Sequence, residues 1–322
     1  MTQLRLIALL AVVAVAVASW ALTCVAWRAD RVMAGIRPLE PRAFRGLTLV
    51  TVGTGGAWEN RERLGPATAV GRGERIALVD AGRGVAEALR AAEIPVSQPG
   101  VVYLTSLLPE NTVGLDDLLL TGWLDGRAAP LRVVGPPGTR ALAMSLEAAH
   151  AAAVAARADS LALPRDGARI DAVEVGDGFA EALDGLAVRA GEMPGGPLPA
   201  LAWRFEADGR SAVVAGMGWA PDALALFARG AGALVHEAAW IPTPEAAKQA
   251  QLEITPEQLE RDARLHTTLE DVGGLAQRAG VATLVLVRLR PPPVYALQIS
   301  NVVDETYAGR ILVADDGDEI RP

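Results

Sequence analysis

From residue 47 to its end, the chain is a succession of short apolar runs closed by glycine, proline or aspartate, and this pattern most limits what it can fold into. Residues 47–52 end at Gly53-Thr54-Gly55-Gly56. Residues 76–80 run into Gly82 and Gly84, residues 101–105 end in Thr105, and residues 131–135 are closed by Pro136-Pro137-Gly138. Runs of this length, rich in β-branched residues and bounded by turn formers, read as strands. Helical spacing follows over 85–92 and, rich in alanine, over 139–158. The second half repeats the style, with strand candidates at 186–190, 200–205, 211–215, 233–236, 283–289 and 310–314, and helices over 221–229, 244–263 and 269–279. Strands grouped in each half, with helices between and after them, predict an α+β chain folded as a four-layer helix–sheet–sheet–helix (αββα) sandwich. Neither a long linker nor a repeat interrupts residues 46–322.

Ahead of that pattern lies a segment of another kind. Residues 6–27 carry no charge and are bounded by Arg5 and Arg28. At ~1.5 Å per residue, these 22 residues cover the ~30 Å hydrocarbon core of a bilayer. Trp20 and Trp27 suit the interfacial end of such a helix. A cleaved signal peptide is the rival reading, because Ala14, Ala16, Ala18 and Ala21 offer small-residue cleavage sites, but its apolar region is normally only ~7–15 residues. The length favours an uncleaved anchor at 1–28, a juxtamembrane linker at 29–45 containing Pro38 and Pro41, and a domain at 46–322. Arg28, Arg31 and Arg37 follow the segment while Arg5 and the amine precede it, so charge counting favours a cytoplasmic domain. The single cysteine, Cys24, lies inside the apolar block, which excludes an intrachain disulfide and a cysteine-based zinc site.

Net charge is −8 with a pI near 5.1, and this argues against a nucleic-acid surface, which needs a clustered cationic footprint. No phosphate loop, dinucleotide fingerprint or G-x-S-x-G elbow occurs, and the glycines at 53, 55 and 56 read as a fold turn. His150 sits among alanines at helical spacing with no partner evident in the sequence, and reads as a surface or packing histidine.

The informative stretch for function is 101–115, Val-Val-Tyr-Leu-Thr-Ser-Leu-Leu-Pro-Glu-Asn-Thr-Val-Gly-Leu: a strand ending in Thr105, a loop, and a helix opened by Gly114-Leu115. Several further landmarks follow in order. They are Val52-Gly53-Thr54-Gly55-Gly56, Leu78-Val79-Asp80-Ala81-Gly82, Gly135-Pro136-Pro137-Gly138, 199–205 (Pro-Ala-Leu-Ala-Trp-Arg-Phe), Val235-His236-Glu237-Ala238 and Leu265-His266-Thr267-Thr268. Together they resemble the ribonuclease Z and arylsulfatase-like branch of the metallo-β-lactamase superfamily, from Thr48 to the C-terminus. The resemblance implies two zinc ions at one edge of the sandwich, sharing a water whose pKa falls to about 7. It also favours an exported domain on an inner-membrane, single-pass anchor, against the charge count.

The residues depart from that family where the metals should bind. The loop pattern T-H-x-H-x-D-H has Ser106, Leu108 and Asn111 at its histidine places and Glu110 at its aspartate place. The next histidine falls at Glu192-Met193-Pro194-Gly195. The bridging aspartate falls at Met217, and the last histidine at Arg288. Arg288 puts a permanent cation where a dication would sit, and the repulsion disfavours metal by several kcal/mol. The expectation is therefore no metal and no cofactor, zinc included. Asp80, Glu110, His236, Glu237 and His266 remain; the resemblance gives His236, Glu237 and His266 to the catalytic neighbourhood and Asp80 to loop bracing. Arg288, with Arg290, is expected to pair Asp80 or Glu110, because a buried carboxylate needs a cation. Three functions stay open. One is a membrane-anchored pseudoenzyme that binds a small ligand or a protein partner. Another is a residual or single-metal hydrolase of phosphoesters or sulfate esters, and the third an arginine-lined pocket for an anion. No RNA-binding insertion is visible between Gly138 and Leu186, so a nucleic-acid partner is not expected.

Overall fold

The computed structural model describes residues 2–36, 38–57, 60, 62–249, 251–291 and 296–322. It divides into two units, Met1–Glu40 and Pro41–Pro322. The first unit is helix α1, Thr2–Ile36, which continues past Trp27 and carries the Arg31 guanidinium 4.2 Å from the Trp27 ring centre. Its stretch Leu10–Met33 is 24 residues long with a mean hydropathy of 2.1, so it is long and apolar enough to cross a membrane.

The second unit contains two mixed seven-stranded sheets with helices on their outer faces, the arrangement of an αββα sandwich. In the first sheet, β1 (Phe44–Gly53), β2 (Ala67–Gly73) and β3 (Arg75–Val79) form an antiparallel meander. Helix α2 (Val85–Ala91) leads to β4 (Val101–Tyr103). The short α3 (Pro109–Thr112) and α4 (Leu115–Leu124) lead to β5 (Leu131–Gly135), and α5 (Thr139–Leu161) to β6 (Ile170–Glu174). From β3 to β6 the pairing is parallel. The second sheet repeats this plan. Strands β7 (Ala180–Leu183), β8 (Leu186–Glu192), β9 (Leu201–Ala207) and β10 (Arg210–Ala215) are antiparallel. After α6 (Pro221–Phe227), β10 then pairs in parallel with β11 (Ala233–Ala239). Helices α7 (Pro244–Gln249), α8 (Pro256–Leu265) and α9 (Leu269–Ala279) precede β12 (Thr283–Arg290). Helix α10 (Ala296–Asp304) precedes β13 (Arg310–Val313), and β14 (Asp318–Ile320) returns to β1.

Period-two alternation explains the layering, because successive side chains leave opposite faces of a strand. In β3, Ala77 and Val79 face the other sheet while Ile76 and Leu78 face α2 and α4. In β12, Val285 and Val287 face inward while Leu284 and Leu286 pack on α9. Strands buried on both faces read as unbroken apolar runs, which is why these runs stood out in the sequence. Tyr103 stacks on Trp203 at 4.7 Å and meets Phe205 edge-on at 5.7 Å, joining the two sheets at their middle.

The structure differs from the sequence reading in places. The helix expected over 244–263 is two helices, because Pro256 starts a new one at its first turn. Thr255 and Gln258 close that start with a reciprocal capping box. His150 does have a partner, Asp116 at 3.4 Å. Strands β2, β6, β7 and β14 were not read from the sequence; β2 is Ala-Thr-Ala-Val-Gly-Arg-Gly, whose alanines and glycines carry little strand preference.

Candidate functional site

The strands β3, β4, β10, β11 and β12 deliver their C-terminal ends to one rim, where crevices of α/β sheets lie. Asp80 follows β3 and Thr105-Ser106 follow β4. Met217 follows β10, His236 and Glu237 lie in β11, and Arg288 lies near the end of β12. Close approach needs glycine at two points. A β-carbon on Gly216 would meet the Thr105 hydroxyl, and one on Gly218 would lie 2.0 Å from the Thr267 backbone nitrogen.

One cluster centres on Asp80, which is fully buried. Its carboxylate accepts the Thr105 amide at 2.8 Å and the Thr105 hydroxyl at 2.8 Å. The Arg288 guanidinium donates through Nη2 to Asp80 Oδ2, the oxygen that also takes the Thr105 hydroxyl, and through Nη1 to Asn111 Oδ1 at 2.6 Å. Asn111 Nδ2 donates in turn to Ser106 Oγ at 2.8 Å and to Thr105 Oγ1 at 3.1 Å. Burial pushes the Asp80 carboxyl above its usual pKa, and the Arg288 charge and Thr105 donors pull against that shift. Both Asp80 (φ 63°) and Arg288 (φ 52°) hold left-handed backbone, a costly conformation for these residues that persists where surroundings fix it. Arg288 is held further by its own amide, which donates to the Thr54 carbonyl at 2.7 Å.

The second cluster lies beside it. His236 is fully buried, its Nε2 2.9 Å from Thr267 Oγ1. Among the described residues its Nδ1 meets no partner within full hydrogen-bond geometry, although the Ala215 backbone lies close enough to raise its pKa slightly. Burial pushes its pKa down to about 4, so the ring is neutral at physiological pH. Glu237 is 3% exposed and holds both oxygens about the His266 Nδ1, at 3.1 and 3.0 Å. Burial pulls the His266 pKa down, but the Glu237 hydrogen bond and charge together outweigh it and leave the pKa raised. His266 Nε2 faces Arg290 Nη1 at 3.3 Å, and Arg290 Nη2 pairs Asp262 at 3.1 Å.

The arrangement therefore brings together Asp80, Ser106, Asn111 and Arg288 in one network, and His236, Glu237 and His266 in another. Arg288 pairs Asp80. Glu110, half-buried in α3, has no hydrogen bond or ion pair among the described residues, and Leu108 and Met217 are half-buried apolar side chains at the rim. Thr105, Thr267 and Asp262 were missed as site residues. Thr105 and Thr267 were quoted only as motif neighbours, and Asp262 reaches the site through tertiary contact from α8.

The residues do not fit a di-zinc centre. Among the described residues, no three of His, Cys, Asp and Glu come together to hold a metal ion. The fully buried Asp80 carboxylate already binds a guanidinium, Asn111 Oδ1 accepts from the same guanidinium, and Asn111 Nδ2 donates to Ser106 and Thr105.

This rim on two facing mixed sheets is that of a metallo-β-lactamase-fold protein. Solved structures share the fold. The metallo-β-lactamase-fold protein YhfI of Bacillus subtilis matches with a TM-score of 0.66 at 13% identity, covering 86% of this chain and 99% of that one. Human tRNase Z, short form, matches with a TM-score of 0.59 at 16% identity, covering 85% and 98%. In sequence, ribonuclease Z of Mycobacterium marinum is 32% identical over 283 residues, 84% of this chain and 96% of that protein. No family model matches the chain. The chain belongs to the ribonuclease Z family of metallo-β-lactamase-fold proteins.

Proposed function

We propose that this chain is a membrane-anchored, non-catalytic member of its family that acts by binding. The observation that carries the reading is the Arg288–Asp80–Asn111 network. It fills the position of the lost ligand set with an internal cation whose two terminal nitrogens already donate to Asp80 and Asn111. A water activated by zinc has no place to form there, and an acid–base pair without a nucleophile generator does little. The relatives are named ribonucleases. RNA cleavage is not carried over to this chain, because its ligand positions hold Ser106, Leu108, Asn111, Met217 and Arg288 and its net charge is −8. The apolar stretch of α1, Leu10–Met33, supports a single-pass anchor. In this reading the anchor is 1–28, the linker 29–45 and the domain 46–322, exported from the inner membrane, although the helix itself continues into the proposed linker to Ile36.

The test is metal analysis of the purified full chain after dialysis, with hydrolysis of bis(p-nitrophenyl) phosphate and p-nitrophenyl sulfate measured with and without added zinc or manganese. Less than one tenth of an equivalent of metal and no saturable turnover are expected. Near-stoichiometric metal with turnover would instead establish the second reading, a residual hydrolase. The Glu237–His266 pair, the one oriented acid–base couple at the rim, is the observation favouring it.

A further inference from the structure

His266 and Arg290 form the inner wall of a cavity of about 260 Å³ that the former metal site does not include. Apart from Asp262, which pairs Arg290, the rest of its wall is largely apolar, with Trp240, Leu252, Ile254 and Leu259 its largest side chains. Trp240 is 40% exposed, Leu252 40% and Ile254 38%, so three large apolar side chains stand open to solvent around one mouth. Single exposed apolar residues are ordinary, but a rimmed apolar pocket ending in convergent polar groups marks a small-molecule site. The volume lies at the low end of the ~300–1,000 Å³ typical of such sites and fits an apolar body of one or two rings.

The polar end specifies the charge. His266 Nδ1 is committed to Glu237, and Arg290 Nη2 to Asp262. That leaves His266 Nε2 and Arg290 Nη1 facing each other at 3.3 Å. With a neutral imidazole, Nε2 accepts the Arg290 proton. With a protonated imidazole, both atoms are donors, and among the described residues neither has a protein acceptor. We propose that this cavity binds a small monocarboxylate with an apolar body, whose oxygens take the two facing donors of His266 and Arg290. The ligand supplies the acceptor that protonated His266 lacks, and a carboxylate matches two donors in a fork.

Charge balance makes the site selective. Glu237 and Asp262 together carry two negative charges against Arg290, so a neutral His266 leaves the wall net negative and repels an anion. Protonation brings the wall to neutrality. Across its other face His266 lines a second cavity, where Arg264, Asp271 and Arg278 add two positive charges against one negative. Binding of the carboxylate is thus coupled to uptake of about one proton at pH values above the His266 pKa. Below that pKa the coupling vanishes and affinity is at its greatest. This inference deepens the binding role proposed above and rests on it.

The experiment uses the full chain in lipid nanodiscs, with empty nanodiscs as the blank, and 2-naphthoate, 2-naphthalenemethanol and 2-naphthylmethylamine as probes. Calorimetric titration at pH 6 and pH 8, in two buffers of different ionisation enthalpy, reads affinity and proton uptake. The expected result is one saturable naphthoate site, with greater proton uptake and weaker affinity at pH 8 than at pH 6. Arg290→Gln is expected to lower naphthoate affinity at pH 6 by at least tenfold, and His266→Gln to abolish the pH dependence, with circular dichroism confirming that both remain folded. Tighter binding of the amine, equal binding of the alcohol, pH-independent naphthoate binding or the absence of a saturable site would each overturn the proposal. The unmutated chain alone decides most of these. Metal content is measured separately, so failure of the ligand and failure of the non-catalytic reading remain distinguishable.

Discussion

Replacing Arg288 by methionine removes the guanidinium from a pair in which Asp80 is 0% exposed and Arg288 7%. Deleting one partner of a buried ion pair costs ~3–5 kcal/mol, chiefly because the remaining charge is left uncompensated. Thr105 still donates twice to Asp80, which places the carboxylate loss near the lower figure. Asn111 Oδ1 also loses its donor, which adds about 1 kcal/mol. A total of roughly 4 kcal/mol corresponds to a melting temperature lower by about 8–16 °C, at ~2–4 °C per kcal/mol. Adding Asp80→Asn removes the stranded charge, so the double variant should recover part of the loss, with a coupling energy of at least ~2 kcal/mol. The assay is urea and thermal unfolding of the four proteins of that cycle, each as the full chain in the same detergent. A loss below about 1 kcal/mol for Arg288→Met, or strict additivity with Asp80→Asn, would refute the view that the guanidinium neutralises this site.

The remaining predictions concern the same rim. Arg288→His restores the family residue type at one position. It should still bind less than one tenth of an equivalent of zinc by plasma mass spectrometry, since Ser106, Leu108, Asn111 and Met217 supply no ligands; stoichiometric zinc would be decisive against this. His236, held neutral in the fold with its pKa near 4, binds a proton more readily in the unfolded chain. Stability should therefore fall as the pH drops from about 6.5 towards 4, by roughly 2 kcal/mol between pH 7 and 5, and His236→Gln should flatten that slope in urea titrations. Gly218→Ala should lower stability by at least ~2 kcal/mol and broaden the Thr267 and His236 resonances, because the new carbon meets backbone; an unchanged melt would contradict the packing seen here.

The sequence made the architecture readable because its central strands are buried on both faces, so they appear as apolar runs with turn residues at their ends. The small-residue strand β2 gave no such signal because its alanines and glycines carry little strand preference, and the short edge strand β14 gave none because its partner β1 lies at the other end of the domain's sequence. At the site, the absence of histidine at Ser106, Leu108, Asn111 and Arg288 was legible, as was the need of a buried carboxylate for a cation. The sequence left open which carboxylate would take Arg288. Asp80 takes it because the left-handed backbone at both residues, together with the Thr105 donors, aims the two side chains at each other, while Glu110 lies half-buried in the first turn of α3. The cavity at Trp240 was not legible. Its wall combines the end of β11, the residues between α7 and α8, and Arg290, which only the fold brings together.

The charge pattern at the rim explains why the change of residues alters what the pocket attracts. A metal centre needs several carboxylates and imidazoles converging without cations of their own. Three acids at this rim have a side-chain partner that is cationic or protonatable: Asp80 has Arg288, Glu237 has His266 and Asp262 has Arg290. Pairing each acid removes the drive to collect a cation. The same pairing leaves His266 and Arg290 with one nitrogen each turned to the cavity, and once His266 is protonated both are donors. With His266 protonated, a wall whose acids are paired and whose spare polar atoms are donors favours an anion over a cation, which is the ligand class proposed for the cavity beside the former metal site.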